Sequence, residues 1–474
     1  MAYRAGHREQ LNLFPASIED YVKDDDVVRV YDAFVESLNA EGLGLVIDSN
    51  KVGNPAYEPK SMLKLLLYGY SYGLRSSRQL ERAVYHNISF IWLMGGLKPD
   101  HKTISSFRKR NRKVLKQVFI QCAKLCIKMN LIEGNTLFVD GSKIRANASR
   151  DNSWTKERCK KLLSGINRRI NQLFKECDNV DKQEEWQKSM VRLEGELTNE
   201  ESREKRIKEI LKSIEEENKN EINTTDKDAT VVKSRQGIHA GYNSQIVVDK
   251  KEGLIISSDV VNDQTDQRQF ANQIKQANEV LEKTCKVACA DQGYSKVDEL
   301  EKIDNKGIEV IVPPHETSGN NVADKAFSKD KFKYIKEGDY YVCPKGYRLP
   351  FRWKNNNFRE YSIENRQLCL NCQNFGKCTK SKNGRSILRL INECVKEKLK
   401  EKYQTEEGKK IFKLRSQKVE HQFGYIKRHL NGGFFLLRGL DGVRGEMAIF
   451  CTCFNLRRMM TIIGREKLIK ELAA

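Results

Sequence analysis

The sequence predicts an α/β fold in which a mixed sheet with flanking helices follows an all-α N-terminal domain. Two insertions, one helical and one rich in cysteine, interrupt that sheet. Apolar residues recur at helical spacing through the first 130 residues. From residue 136 onward, short β-prone runs alternate with helical segments, which is typical of α/β proteins. At 474 residues the chain is longer than one hydrophobic core usually organises, so we expect several domains.

The charge balance indicates a polyanionic partner. Lysine and arginine together number 85 against 64 aspartates and glutamates, which gives a net charge of +21 and a pI near 9.3. Nucleic acid is the polyanion that so basic a protein most often binds. The alternative is a basic protein whose charge serves solubility or a place near the ribosome.

Several features predict a cytoplasmic protein. The first ten residues, MAYRAGHREQ, are polar and predict no signal peptide. No uninterrupted apolar run approaches the roughly 20 residues that span a membrane, so we expect no membrane partner. Thirteen cysteines, an odd number spread through a long chain, fit a reducing compartment better than a disulfide framework.

Residues 1–130 are predicted to form a helical DNA-binding domain. After Pro99, either Thr103 or Ser105 is expected to cap a helix that carries five cations in six residues: Arg108, Lys109, Arg110, Arg112 and Lys113. Five cations so close together cover more than one helix face, which indicates contact with DNA phosphates. The short helices suggest a helix-turn-helix-like module. The alternative is a solvated basic helix.

Asp140 is the first candidate catalytic acid. The run Thr136–Val139 predicts a short strand that ends on Asp140, with Gly141 directly behind it. A carboxylate in that position costs free energy unless it meets a cation or a strong donor. Lys143 and Arg145 follow at once, so we expect the substrate to be anionic. Read alone, Asp140 is equally well a turn or cap residue.

Residues 155–222 predict a charged helical insertion that contains no proline. Leu162, Ile166, Ile170 and Leu173 keep helical spacing, as do Ile207, Leu211 and Ile214. We expect a hairpin of two helices exposed to solvent. It would contact DNA or a second subunit, or remain a plain solvated hairpin.

The hydrophobic period then changes to that of strands. Ser244–Val248 and Leu254–Ser258 flank a turn and predict a β-hairpin. A helix follows, and then KVACADQGYS repeats the Asp140 pattern, with a small-residue strand that ends in Asp291. A further helix and the strand IEVIVPP complete the series. This order is compatible with an RNase H-like mixed sheet, in which the strands carrying Asp140 and Asp291 lie side by side.

Four cysteines fall within 36 residues of the second insertion: Cys343, Cys369, Cys372 and Cys378. The Cys-x2-Cys pair has the usual spacing of zinc ligands, and Pro344–Gly346 after the first cysteine forms a knuckle-like turn. A structural Zn²⁺ site is therefore one interpretation. The other is a set of reduced cysteines in a β-rich insertion.

Glu420 is the best candidate for a third acid. It lies in a basic helical segment, with Arg415 before it, His421 after it and Lys427 seven residues on, two turns along the same helix face. A carboxylate flanked by cations can hold metal while the cations hold neighbouring phosphates. Most glutamates in charged helices are solvated surface residues. Glu446 is the runner-up, although its segment resembles an apolar packing helix.

Motifs along nearly the whole chain resemble bacterial insertion-sequence transposases of the DDE class. They are PDHKTISSFRKRN in the N-terminal domain, FVDGSKIRANAS around Asp140, GYNSQIVVD in the hairpin, ADQGYS around Asp291, and VEHQFGYIKRHL with FNLRRM near the C-terminus. The resemblance implies an RNase H-like core whose acids match Asp140, Asp291 and Glu420 and work with Mg²⁺, for which Mn²⁺ can substitute. It also implies binding of double-stranded DNA at the transposon ends and the target by a homodimer or higher oligomer, in a nucleoid-associated bacterial protein.

The expected domains follow from this resemblance and the segments above. Residues 1–130 form the helical DNA-binding domain, 131–154 and 223–320 the first parts of the catalytic core, 155–222 the helical insertion, 321–395 the Cys-rich insertion, and 396–474 the helices that complete the core. Three carboxylates would hold two Mg²⁺ ions for phosphoryl transfer, with Arg415, His421, Lys427, Lys143 and Arg145 contacting DNA. The alternatives are a nuclease without joining activity and a catalytically inactive DNA-binding regulator.

Overall fold

A computed structural model describes residues 17–39, 42–45, 56–180, 186–234, 237–314 and 325–473. The chain divides into two units. Unit 1 comprises Met1–Asp266, Asn272–Cys285 and Leu414–Ala474, and unit 2 comprises Gln267–Ala271 and Lys286–Lys413. In the part of the chain that the structure describes, no helix combines the length and apolar character needed to cross a membrane.

The fold is a mixture of helices and strands, as the sequence predicts. The helices are α1 (Val27–Glu36), α2 (Pro59–Ser71), α3 (Ser77–His86), α4 (Ile88–Leu93), α5 (His101–Arg110), α6 (Arg112–Lys128), α7 (Lys156–Val180), α8 (Trp186–Glu216), α9 (Phe270–Leu281), α10 (Val297–Asp304), α11 (Arg366–Leu370), α12 (Glu393–Gln404), α13 (Glu406–Arg428), α14 (Leu440–Ile463) and α15 (Arg465–Ala473). The strands are β1 (Thr136–Arg145), β2 (Ser153–Thr155), β3 (Glu221–Asn223), β4 (Thr230–Ser234), β5 (Gly237–Asp249), β6 (Ile255–Val261), β7 (Val287–Cys289), β8 (Glu309–Ile311), β9 (Lys333–Ile335), β10 (Tyr340–Val342), β11 (Arg348–Lys354), β12 (Phe358–Ser362) and β13 (Ser386–Leu390).

The basic segment of the N-terminal region is divided between two helices. Asp100 caps α5, because its carboxylate accepts a hydrogen bond from the Thr103 backbone N–H at 2.7 Å. Helix α5 ends at Arg110, and α6 begins at Arg112. The sequence predicted one continuous helix capped by Thr103 or Ser105, and both parts of that prediction are wrong. The cap is Asp100, directly after Pro99, and the basic residues lie on two helices separated at Asn111.

Helix α14 forms the centre of unit 1. Almost every residue from Gly442 to Leu456 is buried, and the helix packs against α2, α6 and β6. A methyl group added at Gly445 would lie 2.8 Å from the backbone oxygen of Arg112 at the start of α6. The absence of a side chain at Gly445 thus permits the close approach of α6 and α14.

In unit 1, β1 pairs antiparallel with β5, which also pairs antiparallel with β4 and β6. The predicted hairpin is confirmed as β5 and β6. Strand β1 is longer than predicted: Asp140 lies opposite Ile246 in its middle, and pairing continues to Arg145 opposite Gly241. The prediction that the strand ends at Asp140 is wrong, because β5 supplies backbone partners beyond the apolar run.

The charged segment after β1 folds into the two predicted helices, α7 and α8. They share a small core of their own that includes Cys159, Ile166, Ile207 and Ile214. At the base of these helices β2 pairs antiparallel with β3. The long helices thus leave the sheet region and return to it through a short two-stranded ribbon.

Unit 2 contains a parallel pair and a small antiparallel sheet. Strand β7 pairs in parallel with β8, and α10 connects them. The antiparallel sheet has the order β13-β12-β11-β10-β9. Its core comprises Phe332, Tyr341, Leu349, Tyr361, Ile363 and Ile387. Among the described residues, six buried side chains thus form the core of this sheet, and four partly buried ones pack against it.

Candidate functional site

Asp140 is held by an ion pair with helix α13. Nη2 of Arg415 lies 2.6 Å from Oδ1 of Asp140, and the two side chains are 10% and 17% exposed. The guanidinium offsets the cost of partly burying the carboxylate in the middle of β1. Residues separated by 275 positions in the sequence thus meet at the predicted acid.

A second cation of α13 also reaches β1. Nζ of Lys427 donates to Oγ of Ser142 at 2.6 Å and to the backbone oxygen of Lys143 at 3.2 Å. Glu420 lies on α13 between Arg415 and Lys427 and is exposed. Because seven residues make two helical turns, Glu420 and Lys427 share one face of α13. The helix therefore crosses the Asp140 strand with Glu420 between its two points of attachment.

His421 packs against helix α14. Its ring centroid lies 6.1 Å from that of Tyr425 in a stacked arrangement, and 6.1 Å from that of Phe454. His421 is exposed, so these contacts leave part of its ring at the surface. The structure places it on α13 next to Glu420, as predicted, with its aromatic neighbours supplied by α13 and α14.

Lys143 lies on the sheet face opposite Asp140, because successive side chains of a strand alternate between faces. Its Nζ lies 3.2 Å from Oδ1 of Asp266. The same oxygen accepts hydrogen bonds from Asn243 at 2.7 Å and Gln245 at 2.8 Å. This Asp266 cluster was not found from the sequence. The neighbouring motif NSQ supplies two of its members, but nothing local identifies the loop aspartate that they hold.

Arg145 ends β1 with an exposed side chain and a backbone tied to the segment after α13. Its carbonyl accepts from the N–H of Phe435 at 2.8 Å. Nearby on β5, burial lowers the pKa of His239, and the positive charges of Arg145 and Lys427 lower it further. His239 is therefore neutral at physiological pH. The lowered pKa of His239 indicates that the positive charges of Arg145 and Lys427 act together near this end of β1.

Asp291 follows β7 in unit 2, as predicted. Its Oδ1 accepts a hydrogen bond from the N–H of Gly293 at 2.9 Å, and it caps the short 3-10 helix Gln292–Tyr294. Tyr294 is fully buried and packs against Phe270 with a centroid separation of 6.3 Å. The backbone around Asp291 is therefore fixed by a cap and by an aromatic anchor.

Arg108 is buried and does not present its charge to a partner. It is 5% exposed, and its Nη1 donates to the hydroxyl of Tyr70 at 2.9 Å and to the backbone oxygen of Arg75 at 2.8 Å. The prediction that Arg108 contacts DNA is wrong, because its position on α5 faces the core. Lys109, Arg110 and Lys113 are exposed, and Arg112 is half-buried.

Glu446, the runner-up for the third acid, is a structural residue. It is fully buried on α14, with Oε1 2.8 Å from Nη2 of Arg75 and 3.1 Å from the hydroxyl of Tyr70. Oε2 accepts from the backbone N–H groups of Leu436 and Leu437. Both carboxylate oxygens are thus used inside the protein.

The four predicted zinc ligands come together in unit 2. Cys343, Cys369, Cys372 and Cys378 all line one cavity of about 30 Å³ next to the small antiparallel sheet. Burial raises the pKa of the Cys378 thiol. Across the residues with described positions, no three histidine, cysteine or acidic side chains stand at metal-binding separations.

Two family models match parts of the chain. Residues 16–110 match the model described as "Transposase domain (DUF772)". Residues 342–460, which include Glu420 and the four cysteines, match the model described as "Transposase DDE domain".

Comparisons with whole proteins add one structure. The chain is similar to the cryo-EM structure of the piggyBac transposase synaptic complex with hairpin DNA, at 10% identity and a TM-score of 0.35, with 95% of this chain and 79% of that chain covered. None of the curated proteins with which the sequence was compared matches it.

Proposed function

Because the chain belongs to the transposases of the DDE class, we propose that it binds the terminal inverted repeats of a bacterial insertion sequence and catalyses metal-dependent cleavage and strand transfer of DNA. The observation that carries the proposal is the attachment of α13 to the Asp140 strand through Arg415 and Lys427. That attachment holds Glu420 on a helix that crosses the strand of the first acid.

The proposed catalytic residues are Asp140, Asp291 and Glu420, on an RNase H-like core. In unit 1 the antiparallel order β6-β5-β1 supports such a core, since a strand with an acid is followed there by a hairpin. In unit 2 the parallel pair β7 and β8, joined by α10, supports its second half. Each aspartate follows or occupies a strand, and the glutamate lies on a late helix.

The donor chemistry of these residues fits Mg²⁺. Asp140, Asp291 and Glu420 offer carboxylate oxygens, the ligands that this hard cation prefers over nitrogen and sulfur. When bound, the metal would lower the pKa of water and neutralise charge on the reacting phosphate and leaving oxygen. Mn²⁺ has the same preference and would substitute.

Arg415 would position the DNA, and Lys427 would hold α13 in place. Arg415 holds the Asp140 carboxylate through Nη2, and a planar guanidinium is equally suited to bind a phosphate. We propose that Arg415 exchanges Asp140 for a DNA phosphate when the substrate binds. Lys427 would keep α13 on β1 through Ser142 during that exchange, while the charge of Arg145 attracts the DNA backbone.

Exposed cations of the N-terminal region are the proposed contacts to the terminal repeats. Lys109, Arg110 and Lys113 are exposed at the junction of α5 and α6, where a helix-turn-helix-like module would contact DNA phosphates. Their proposed partner is double-stranded DNA of the transposon ends and target, bound by a homodimer or higher oligomer. A protein with these partners would work at the bacterial nucleoid.

Cleavage of a labelled duplex that carries the terminal repeat of the element tests the proposal. Wild-type protein should cut at the repeat end with Mg²⁺ and not with EDTA. Asp140→Asn, Asp291→Ala and Glu420→Gln should each abolish cutting while DNA binding remains. Glu407→Gln, which changes another exposed acid of α13, is the matched control and should cut normally.

The products distinguish transposase from nuclease, because both need the same acids. Joined products with target DNA identify strand transfer, whereas cut products without joining identify a nuclease. Full cleavage by Asp140→Asn or Asp291→Ala would refute the proposed site. Salt-sensitive binding with no cutting by wild type under any divalent metal would identify a DNA-binding regulator.

A further inference from the structure

The cysteine cavity of unit 2 has the composition of a metal site that DNA cleavage does not use. Its wall includes the thiols of Cys343, Cys369, Cys372 and Cys378, which come from two segments of chain. A volume of about 30 Å³ accommodates one particle the size of a water molecule. We propose that these four thiols bind one structural Zn²⁺ ion, and that Arg385 is the positioning residue that offsets the charge of the site.

Tight turns already present the four thiols to the cavity. The N–H of Gly346 donates to the carbonyl of Cys343 at 2.8 Å, and that glycine adopts a φ of 86°. The N–H of Cys372 donates to the carbonyl of Cys369 at 3.1 Å. The Cys-x2-Cys pair therefore lies on one turn and Cys343 on another, which is the arrangement in which structural zinc sites are built. On binding, the ion would draw the four sulfur atoms together from the positions they occupy around the cavity.

A backbone N–H is also aimed at one of the sulfur atoms. The N–H of Arg385 points to Sγ of Cys369, with a separation of 3.5 Å. A methyl group at Gly384 would lie 3.4 Å from the same sulfur, and this glycine has a φ of 83° that other residues rarely adopt. An N–H donor of this kind stabilises a thiolate more than a thiol, and such supporting contacts are typical around metal ligands.

The guanidinium of Arg385 supplies positive charge where a zinc tetrathiolate would need it. Arg385 is 7% exposed and donates to the backbone oxygens of Cys378 and Phe327, each at 3.2 Å. Its guanidinium also lies 5.1 Å from the ring centroid of Phe332. Four thiolates around Zn²⁺ carry a net charge of −2, so a buried cation beside the ligands lowers the cost of burying that charge.

Binding of Zn²⁺ would stabilise a sheet with a small core. The four S–H groups lose their protons to solvent as four Zn–S bonds form, so no oxidant or reductant is required. Cys343, Cys369 and Cys378 pack against the core residues of the antiparallel sheet, among them Leu349 and Ile363. A metal that ties β10, α11 and the following turn together would compensate for the few apolar side chains.

Metal analysis of the full-length protein tests the proposal. After purification without chelator, wild type should contain one zinc ion per chain, whereas Cys372→Ser and Cys378→Ser should contain none. The control is Cys394→Ser, because Cys394 is exposed on α12 and lies outside the cavity wall. Zinc in wild type and Cys394→Ser alone supports the proposal, and equal zinc in all four proteins overturns it.

A measurement on wild type remains decisive even where a cysteine variant fails to fold. Replacing Zn²⁺ with Co²⁺ should give the intense visible absorption of a tetrahedral cobalt site together with a sulfur-to-cobalt charge-transfer band. Absence of both bands and of zinc in wild type overturns the proposal. Metal content is measured without DNA, so failure here and failure of the cleavage assay are distinguishable.

The role of Arg385 has its own readout. Arg385→Met should lower zinc affinity by about 10- to 100-fold, as measured by competition with a chelator, because supporting residues of metal sites typically contribute that much. Arg366→Met, which changes an exposed arginine of α11, should leave zinc affinity unchanged. Equal zinc affinity in the two variants would remove Arg385 from the site.

Discussion

Replacing Glu446 with alanine should destabilise unit 1 by about 3–5 kcal/mol, the usual cost of breaking a buried ion pair from one side. The carboxylate is fully buried and lies 2.8 Å from Arg75, which is itself 2% exposed. Arg75 would stay buried after the substitution, because it also donates to the backbone oxygens of Asn431 and Phe434. Its positive charge would then lack an anionic partner.

The hydrogen bonds of Glu446 give a similar magnitude. The carboxylate accepts from the Tyr70 hydroxyl at 3.1 Å and from the backbone N–H groups of Leu436 at 2.8 Å and Leu437 at 3.0 Å. Bonds to a charged group contribute roughly 1.5–3 kcal/mol each, and the buried donors left behind become unsatisfied. Water entering the new cavity would satisfy some of these donors, so the net loss is smaller than the sum.

Urea unfolding followed by circular dichroism measures the effect. At a slope of about 3 kcal/mol per molar urea, the midpoint should fall by roughly 1–1.7 M. The control is Asp441→Ala, an exposed acid in the first turn of the same helix, which should cost at most about 1 kcal/mol. The double variant Arg75→Met with Glu446→Leu should lose less than the two single variants together.

A different outcome would refute the structural role of Glu446. A midpoint shift of less than about 0.3 M with loss of DNA cleavage would mean that this acid acts in catalysis, as the runner-up interpretation of the sequence had it. If the double variant lost as much stability as the two single variants together, Arg75 and Glu446 would not stabilise each other.

Lys109→Ala should reduce the slope of log affinity against log salt by about one in a DNA-binding titration. Arg108→Ala should instead lower the urea midpoint of unfolding, because the Arg108 guanidinium is buried. Gly445→Ala should destabilise unit 1 by about 1–3 kcal/mol, because the added methyl group would clash with the start of α6. Gly165 lies on α7, where an added methyl group would meet no neighbouring atom. Gly165→Ala should therefore stabilise that helix by up to about 1 kcal/mol, as measured by thermal unfolding. The pKa of His239 is lowered by burial, so protons bind the unfolded chain first and stability should fall as the pH drops below about 6.5. His239→Gln should make that fall shallower, and an unchanged pH profile would contradict the reasoning.

Local patterns predicted several of the helices and strands correctly. The spacing of Leu162, Ile166 and Ile170 predicted a helix, and α7 confirms it. The prediction was possible because a helix that packs on any partner buries one stripe of apolar side chains, and that stripe is visible in the sequence. The hairpin β5–β6 was predictable for the same reason, since a turn between two β-prone runs brings neighbouring residues together. The cysteine spacing likewise predicted one cluster, and the four residues do line one cavity.

Tertiary structure decided which charges face solvent and which are buried. Arg108 and its exposed neighbour Lys109 are indistinguishable in a basic run, and only the packing of α5 onto the core separates them. Glu446 similarly gave no local sign of its partner, because Arg75 lies 371 residues away. Composition reports how many charges the chain carries and nothing about their partners.

The sequence by itself indicated a transposase of the DDE class, several of the helices and strands, and the three acids to test, since each rests on contiguous motifs. Only the tertiary structure decided that Arg415 pairs with Asp140, that Lys427 reaches Ser142, and that Lys143 serves the opposite face of the sheet. These contacts join residues on different elements, and their geometry depends on the register of β1 with β5 and on the path of α13. Such long-range placement is fixed by packing of the whole unit rather than by any short stretch of chain.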